Sequence, residues 1–254
     1  MPTEFHPDIL DKIKEKYSQL SNGEELLSID RLKELYSLFR EKFGPAVISK
    51  LTGRALLENI HNSSNHDSLV YWLEFKNDEE FPARFGSIAG GSALKFGIYR
   101  RAKTGEWMTG SPQAQKALSI DEAIKIAEKH RDQLIAGSEI LSRMAIPLTQ
   151  AAYENLQNSL AGVAPDVFDS AWGHKYFSLL FPEILDDYHS WDWQKHHLLK
   201  LFIRPPEEKG RYTAAFYFIE LAKEIGVPMN NLSATLNSLN GPLHRYWRLG
   251  TRID

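Results

Sequence analysis

One stretch constrains the fold of this chain more than any other. Residues 218–237 read FIELAKEIGVPMNNLSATLN. The pattern predicts a helix, a tight turn and a second helix. Ala222 stands four residues before Gly226, and a small side chain there lets two helices cross closely. Glycine takes the positive φ that such a turn demands. Val227 and Leu232 plug the hairpin, and Leu236 extends the apolar stripe by one turn. The second helix carries Asn230, Asn231, Ser233, Thr235 and Asn237. These side chains bond base edges or phosphates when such a helix enters a major groove. Helical hairpins that touch no nucleic acid share the same turn, so the motif needs company before it carries a function.

The rest of the chain predicts an α+β fold in three parts. Residues 1–48 form an N-terminal helical segment, with Leu32, Leu35, Phe39 and Phe43 at helical spacing and a break at Ser21-Asn22-Gly23. Residues 49–142 form a small α/β module: a short helix over 51–61, then strands at 69–75, 85–88, 94–100 and 106–109. Lys103-Thr104-Gly105 supplies a hairpin turn between the last two. Ser119 and Glu122 predict a capping box that opens a helix running to about Leu141. Residues 143–254 form a mostly helical, aromatic-rich module that ends in the helix-turn-helix and a strand over 244–249 in the position of a wing.

Composition narrows the partners. A formal charge of −3, with 43% apolar and 25% charged residues, belongs to an ordinary globular protein and argues against a generally basic nucleic-acid coat. The chain has no cysteine, hence no disulfide and no thiolate metal site. No secretory signal or membrane-length apolar run is seen, so the expected home is the cytoplasm.

Charge is concentrated locally. From Arg84 to Gly105 there are five basic residues, Arg84, Lys95, Arg100, Arg101 and Lys103, and no acidic one. Phe85, Phe96 and Tyr99 interleave with glycines. Such a strip suits phosphate contact, with Tyr99 or Trp107 stacking on an unpaired or flipped base. The plainer reading is a solvated strand edge guarded by charge. At the C-terminus Arg245 and Arg248 flank Tyr246 and Trp247, and as a wing they would lie along a backbone.

Several catalytic patterns fail on spacing. Gly90-Gly-Ser-Ala-Leu-Lys95 lacks the Gly before and the Ser or Thr after its lysine that a Walker A loop requires. Gly97-Ile-Tyr99 followed by Met108-Thr-Gly110 has only half of the GIY/YIG nuclease pattern. Asp67 with Glu74-Phe-Lys76 matches a D…E-x-K metal-nuclease signature. On one strand, however, their carboxylates would stand roughly 23 Å apart, too far to share an ion. The histidine pairs have no metal-ligand spacing. The expectation is therefore a non-enzyme with no metal and no cofactor.

Three longer strings carry a resemblance: Trp172-Gly-His-Lys-Tyr-Phe-Ser-Leu-Leu-Phe-Pro182 with Asp186-Asp-Tyr-His189, the string 244–251, and the glycine-rich strip 85–101. Together they resemble the region that precedes the AAA+ motor in McrB-type modification-dependent restriction NTPases. The resemblance implies a DNA-recognition module, often for modified cytosine, joined in the full-length protein to a GTP-driven motor that recruits a nuclease subunit. The motor's nucleotide motifs do not occur here, so only the recognition role carries over. On this reading Arg84, Lys95, Arg100, Arg101 and Lys103 hold phosphates, and Asn231, Ser233, Thr235 and Asn237 contact a groove. Two alternatives stay open. Six tryptophans and a net acidic 151–254 suit a module that docks a partner subunit. A divergent metal-dependent nuclease is the other.

Overall fold

The computed structural model describes residues 5–76, 81, 84–90, 93–144, 148–206 and 210–243. Its elements run α1 (Ile9–Asn22), α2 (Ile29–Phe43), α3 (Pro45–Ile48), α4 (Gly53–Ile60) and α5 (Leu69–Glu74). A 3₁₀ turn (Ala93–Phe96) leads into β1 (Ile98–Arg100), β2 (Trp107–Ser111) and β3 (Ala114–Leu118). Six helices follow: α6 (Ile120–Ser142), α7 (Gln150–Val163), α8 (Ala171–Leu180), α9 (Trp191–Leu201), α10 (Arg211–Ile225) and α11 (Met229–Asn240). The class is α+β, with helices dominating and one three-stranded antiparallel sheet in the order β1-β2-β3.

Local signals place many of these elements. Ser28 opens α2 by accepting a hydrogen bond from the Arg31 N–H at 3.2 Å, and Leu32, Leu35, Phe39 and Phe43 turn inward. Ser119 and Glu122 form the reciprocal capping box of α6. Gly226 sits at φ 79°, and the Gly226 and Val227 N–H groups both close on the Ala222 carbonyl, at 2.9 and 3.0 Å. The helical hairpin α10–α11 thus forms where the sequence places it. Across the sheet, Arg100 pairs with Trp107 and Trp107 with Leu118. The Arg101 N–H bonds the Glu106 carbonyl at 2.8 Å to shape the turn through Lys103 and Gly105.

Three strand expectations are corrected. Residues 69–74 are helical, because Ser68 accepts from the Tyr71 N–H and starts a turn. Leu69, Val70, Trp72 and Leu73 are then buried around its circumference. Packing on several sides overrides a β-rich composition in so short a run. Residues 85–88 make no strand, and 94–96 belong to the 3₁₀ turn. β3 has no apolar alternation and went unforeseen; its residues are exposed along most of their length. The wing at 244–249, with Arg245 and Arg248, lies outside the described residues.

The apolar core runs continuously from Ile9 to Leu236 and draws on all three sequence segments. Polar ties stitch the segments together inside it. Tyr176 Oη donates to the Phe43 carbonyl at 3.0 Å, Lys175 Nζ to Leu73 O at 3.0 Å, and Asn231 Nδ2 to Leu27 O at 3.1 Å. Among the described residues no helix is long and apolar enough to cross a membrane.

Candidate functional site

The structure separates the residues expected to act together. Lys95 is engaged internally: its ammonium pairs with Glu74 and donates to the Ile88 and Gly90 carbonyls at 2.7 and 2.9 Å. Glu74 is buried on α5 and needs that counter-charge, so Lys95 is not available to a phosphate. Arg100 bonds the Gly105 carbonyl and stands 3.6 Å from Glu58. Arg101 reaches Glu106 and Gln115. Lys103 is exposed in the turn. Of the two stacking candidates, Trp107 is buried against the core and Tyr99 is half-buried, its hydroxyl donating to Gln115 at 2.9 Å.

The second correction concerns α11. Asn230, Asn231, Ser233 and Thr235 are each 5% exposed or less, so they cannot lie along a DNA groove. Thr235 donates to the Asn231 carbonyl at 2.7 Å. Asn237 is exposed, and its carbonyl oxygen accepts from His197 Nε2 at 3.1 Å. The polar face of this helix turns inward because α1, α9 and α10 all pack against α11.

That inward face lines a cleft of about 560 Å³, within the range of small-molecule sites. Asn230, Asn231, Ser233 and Asn237 form one wall. Asp187, Tyr188 and His189 form a second, on the segment between α8 and α9, and Arg84, Gly86, Ser87 and Ile88 form the third. Trp193 closes the aromatic side. His197 is sandwiched between Trp193 and Tyr188, with ring centroids 6.0 and 4.5 Å away and near-parallel planes. The walls touch closely: Gly86 has φ 75°, and a Cβ there would stand 2.1 Å from the Asp187 carbonyl oxygen. Asn230 Nδ2 ties all three, donating to the Arg84 carbonyl and to Asp187 Oδ2.

Hydrogen bonding fixes the protons around this cleft. The Phe85 carbonyl accepts from His189 Nε2 at 2.7 Å, so His189 Nδ1 is a lone pair. That lone pair receives the Nδ1–H of His174 at 3.0 Å, which leaves His174 Nε2 a buried acceptor with no partner among the described residues. Burial holds both imidazoles well below their usual range, His174 at about 3. Burial also pushes the carboxyls of Asp186 and Asp187 up, to about 8 and about 6. It lowers the Lys175 ammonium behind them to about 7.

Two cleft side chains keep unmatched capacity. Asn231 Oδ1 and Ser233 Oγ are buried and have no partner among the described residues. A polar atom left so costs about 1–3 kcal/mol, which a ligand returns by bonding it. Of the residues expected from sequence, the structure brings Arg84, Asn231, Ser233 and Asn237 together here. Arg100 and Trp107 line a separate groove of about 340 Å³ with Arg54 and Glu58. The expectation missed Asp187, His189 and Trp193 as site residues. The string Asp186-Asp-Tyr-His189, two adjacent acids amid aromatic residues, was the available signal.

No protein-family model, curated protein sequence or solved structure matches this chain.

Proposed function

We propose that this chain is a non-catalytic DNA-recognition module that receives one unstacked base, of the methylated-cytosine type, in the cleft beside α11. The inward polar face of that helix, with Asn231 Oδ1 and Ser233 Oγ unmatched, carries the reading. A flipped base needs a flat apolar surface and a hydrogen-bonding edge together. Trp193, half-buried at the cleft, supplies the first, and the α11 wall supplies the second. Arg84 stands exposed at the rim with one guanidinium N–H on the Glu25 carbonyl, and its remaining donors suit the backbone of the extruded nucleotide. The exposed cations of the hairpin, Arg100, Arg101 and Lys103, then act as backbone contacts and not as readers. A motor and a nuclease subunit, in the cytoplasm, are the partners this role calls for.

Fluorescence anisotropy with matched duplexes, with and without 5-methylcytosine, at two salt concentrations tests the proposal. Tighter binding to the modified duplex at both salts is expected. Ser233→Ala removes no hydrogen bond of that hydroxyl, so it should leave stability within about 1 kcal/mol while the preference for the modified duplex drops. Equal, salt-sensitive binding leaves only a backbone binder, and no binding to either duplex removes the proposal. A docking module is the second reading. Leu199, on α9, and Ile203, just past its end, are both half-exposed and favour it. Binding to a partner protein with none to DNA is its signature.

A further inference from the structure

The wall that carries Arg84 has no regular structure of its own: residues 84–89 belong to no helix or strand. Side chains of three other elements hold its carbonyls. Lys95 donates to Ile88 O at 2.7 Å, His189 to Phe85 O at 2.7 Å, and Asn230 to Arg84 O. Of these donors Asn230 is the one that comes from α11, where it sits in the first turn, 4% exposed. Its amide nitrogen has two hydrogens, and the second goes to Asp187 Oδ2 at 2.8 Å. Both donors are thus spent inside the protein, one on each of the two facing walls. Asp187 is as buried as Asn230 and needs a donor there. The charged and titratable groups around it are the Lys175 ammonium on α8, the Asp186 carboxyl beside it and the Tyr36 hydroxyl on α2.

We infer that Asn230 is the positioning residue of the cleft: its two donations clamp the Arg84 wall and the Asp187 wall to α11, so that the unmatched side chains of α11 and the guanidinium at the rim meet one ligand together. Its effect on binding rests on the base-binding reading of the cleft. Without the clamp the Arg84 carbonyl and the Asp187 carboxylate are each one bond short. A ligand then has to order the walls as it binds, and its affinity falls by that cost. The requirement is for a donor. An ionised carboxylate in place of the amide offers none. A protonated one offers a single hydrogen, and two carboxyls in contact share a proton readily, because both cannot ionise side by side.

The test has a readout with DNA and one without. The first is the ratio of affinities for two duplexes, one with 5-methylcytosine and one with an abasic residue, each opposite an abasic position. A charge added by a variant shifts both affinities and leaves the ratio to report the cleft. The second is tryptic cutting after Arg84, whose carbonyl is the one Asn230 holds; cutting there follows local opening of the wall. The wild type should prefer the base by about tenfold or more. Asn230→Ala should bring that ratio close to one at about pH 8 and at about pH 5.5 alike. Asn230→Asp should do the same at the higher pH and regain most of the ratio at the lower one, where the shared proton restores a donation. Both variants should be cut after Arg84 about tenfold faster than the wild type at the higher pH, with melting temperatures that show them folded. A folded Asn230→Ala variant with the wild-type ratio overturns the clamp. An Asn230→Asp ratio that stays low at both pH values overturns the role of the donor. A wild type that binds both duplexes alike overturns base binding, and the cut after Arg84 then decides the clamp alone: faster cutting in the variants upholds it, and an unchanged rate overturns it.

Discussion

The β1–β2 hairpin holds Arg100 and Arg101 with side chains 39% exposed, each beside a surface carboxylate. The α11 wall holds Asn230, Asn231, Ser233 and Thr235 at 5% exposure or less. In the sequence both look like polar surfaces offered to a ligand. In the folded chain the hairpin trades weak, screened ion pairs with water nearby, while the α11 wall keeps few bonds in a place where each one counts. The comparison teaches that binding capacity lies in what burial leaves unmatched and not in the density of polar letters.

The largest expected effect contrasts two glycines, one in each region. Gly86 has φ 75° and no room, with the Asp187 carbonyl oxygen 2.1 Å from where a Cβ would sit. Gly105 has nearly the same φ, 73°, and its nearest neighbour is the end of the Arg100 side chain at 3.6 Å. Gly86→Ala adds overpacking to backbone strain and should cost about 3 kcal/mol or more. Gly105→Ala should cost about 1–2 kcal/mol, the strain alone. Urea unfolding of both variants measures the difference. Equal losses would mean that the 84–90 segment yields easily and that the cleft walls are not held as described.

A second contrast is in pH. Asp186 is buried, accepts from the Tyr188 N–H at 2.7 Å and from Gln194 at 2.9 Å, and its pKa is pushed up by burial to about 8. Its native form binds a proton more readily than the unfolded chain does. Its contribution to stability is therefore complete below about pH 4 and is lost as pH rises through about 8. Asp187 acts in the same sense up to about 6. His174 and His197, both lowered to about 3 by burial, act in the opposite sense. Their stabilisation is present above the usual pKa of about 6.5 and is lost as pH falls towards 3. The hairpin arginines stay charged throughout. Asp186→Asn should flatten the fall in stability between pH 7 and 8 by up to about 1.4 kcal/mol per pH unit. Urea midpoints at those pH values read it directly, and an unchanged slope would mean that Asp186 is ionised in the folded chain.

The same contrast shows what was legible in the sequence. Ser119 with Glu122, Ser28 before α2 and Gly226 in the helical hairpin are local devices, and each forms the cap or turn its chemistry predicts. Helix 69–74 was misread as a strand because Val70, Tyr71 and Trp72 favour strands locally, and only the packing around α5 decides otherwise. β3 was missed because Ala114, Gln115 and Lys116 carry no inward-outward rhythm on an exposed edge. The cleft was half legible. An amphipathic helix has the same periodicity whether its polar face meets water or an internal wall, so Asn231 and Ser233 were found and their surroundings were not. Lys95 and Glu74 are 21 residues apart, and no local pattern announces that they pair.

The smallest effect is expected from removing the most conspicuous cations. Arg100→Ala with Arg101→Ala breaks surface contacts to Glu58, Glu106 and Gln115, so stability should change by less than about 1 kcal/mol. Each arginine must leave a carboxylate neighbour before it meets a phosphate, which weakens its contribution to DNA affinity. The double variant should bind all duplexes more weakly by the same factor, with the salt dependence of log affinity shallower by no more than about 2. The ratio of modified to unmodified duplex should stay at its wild-type value, because a backbone contact carries no base information. Unchanged affinity for every duplex would show that the hairpin does not touch DNA at all. A collapsed ratio would place base reading on the sheet, beside Tyr99, and take it away from the cleft.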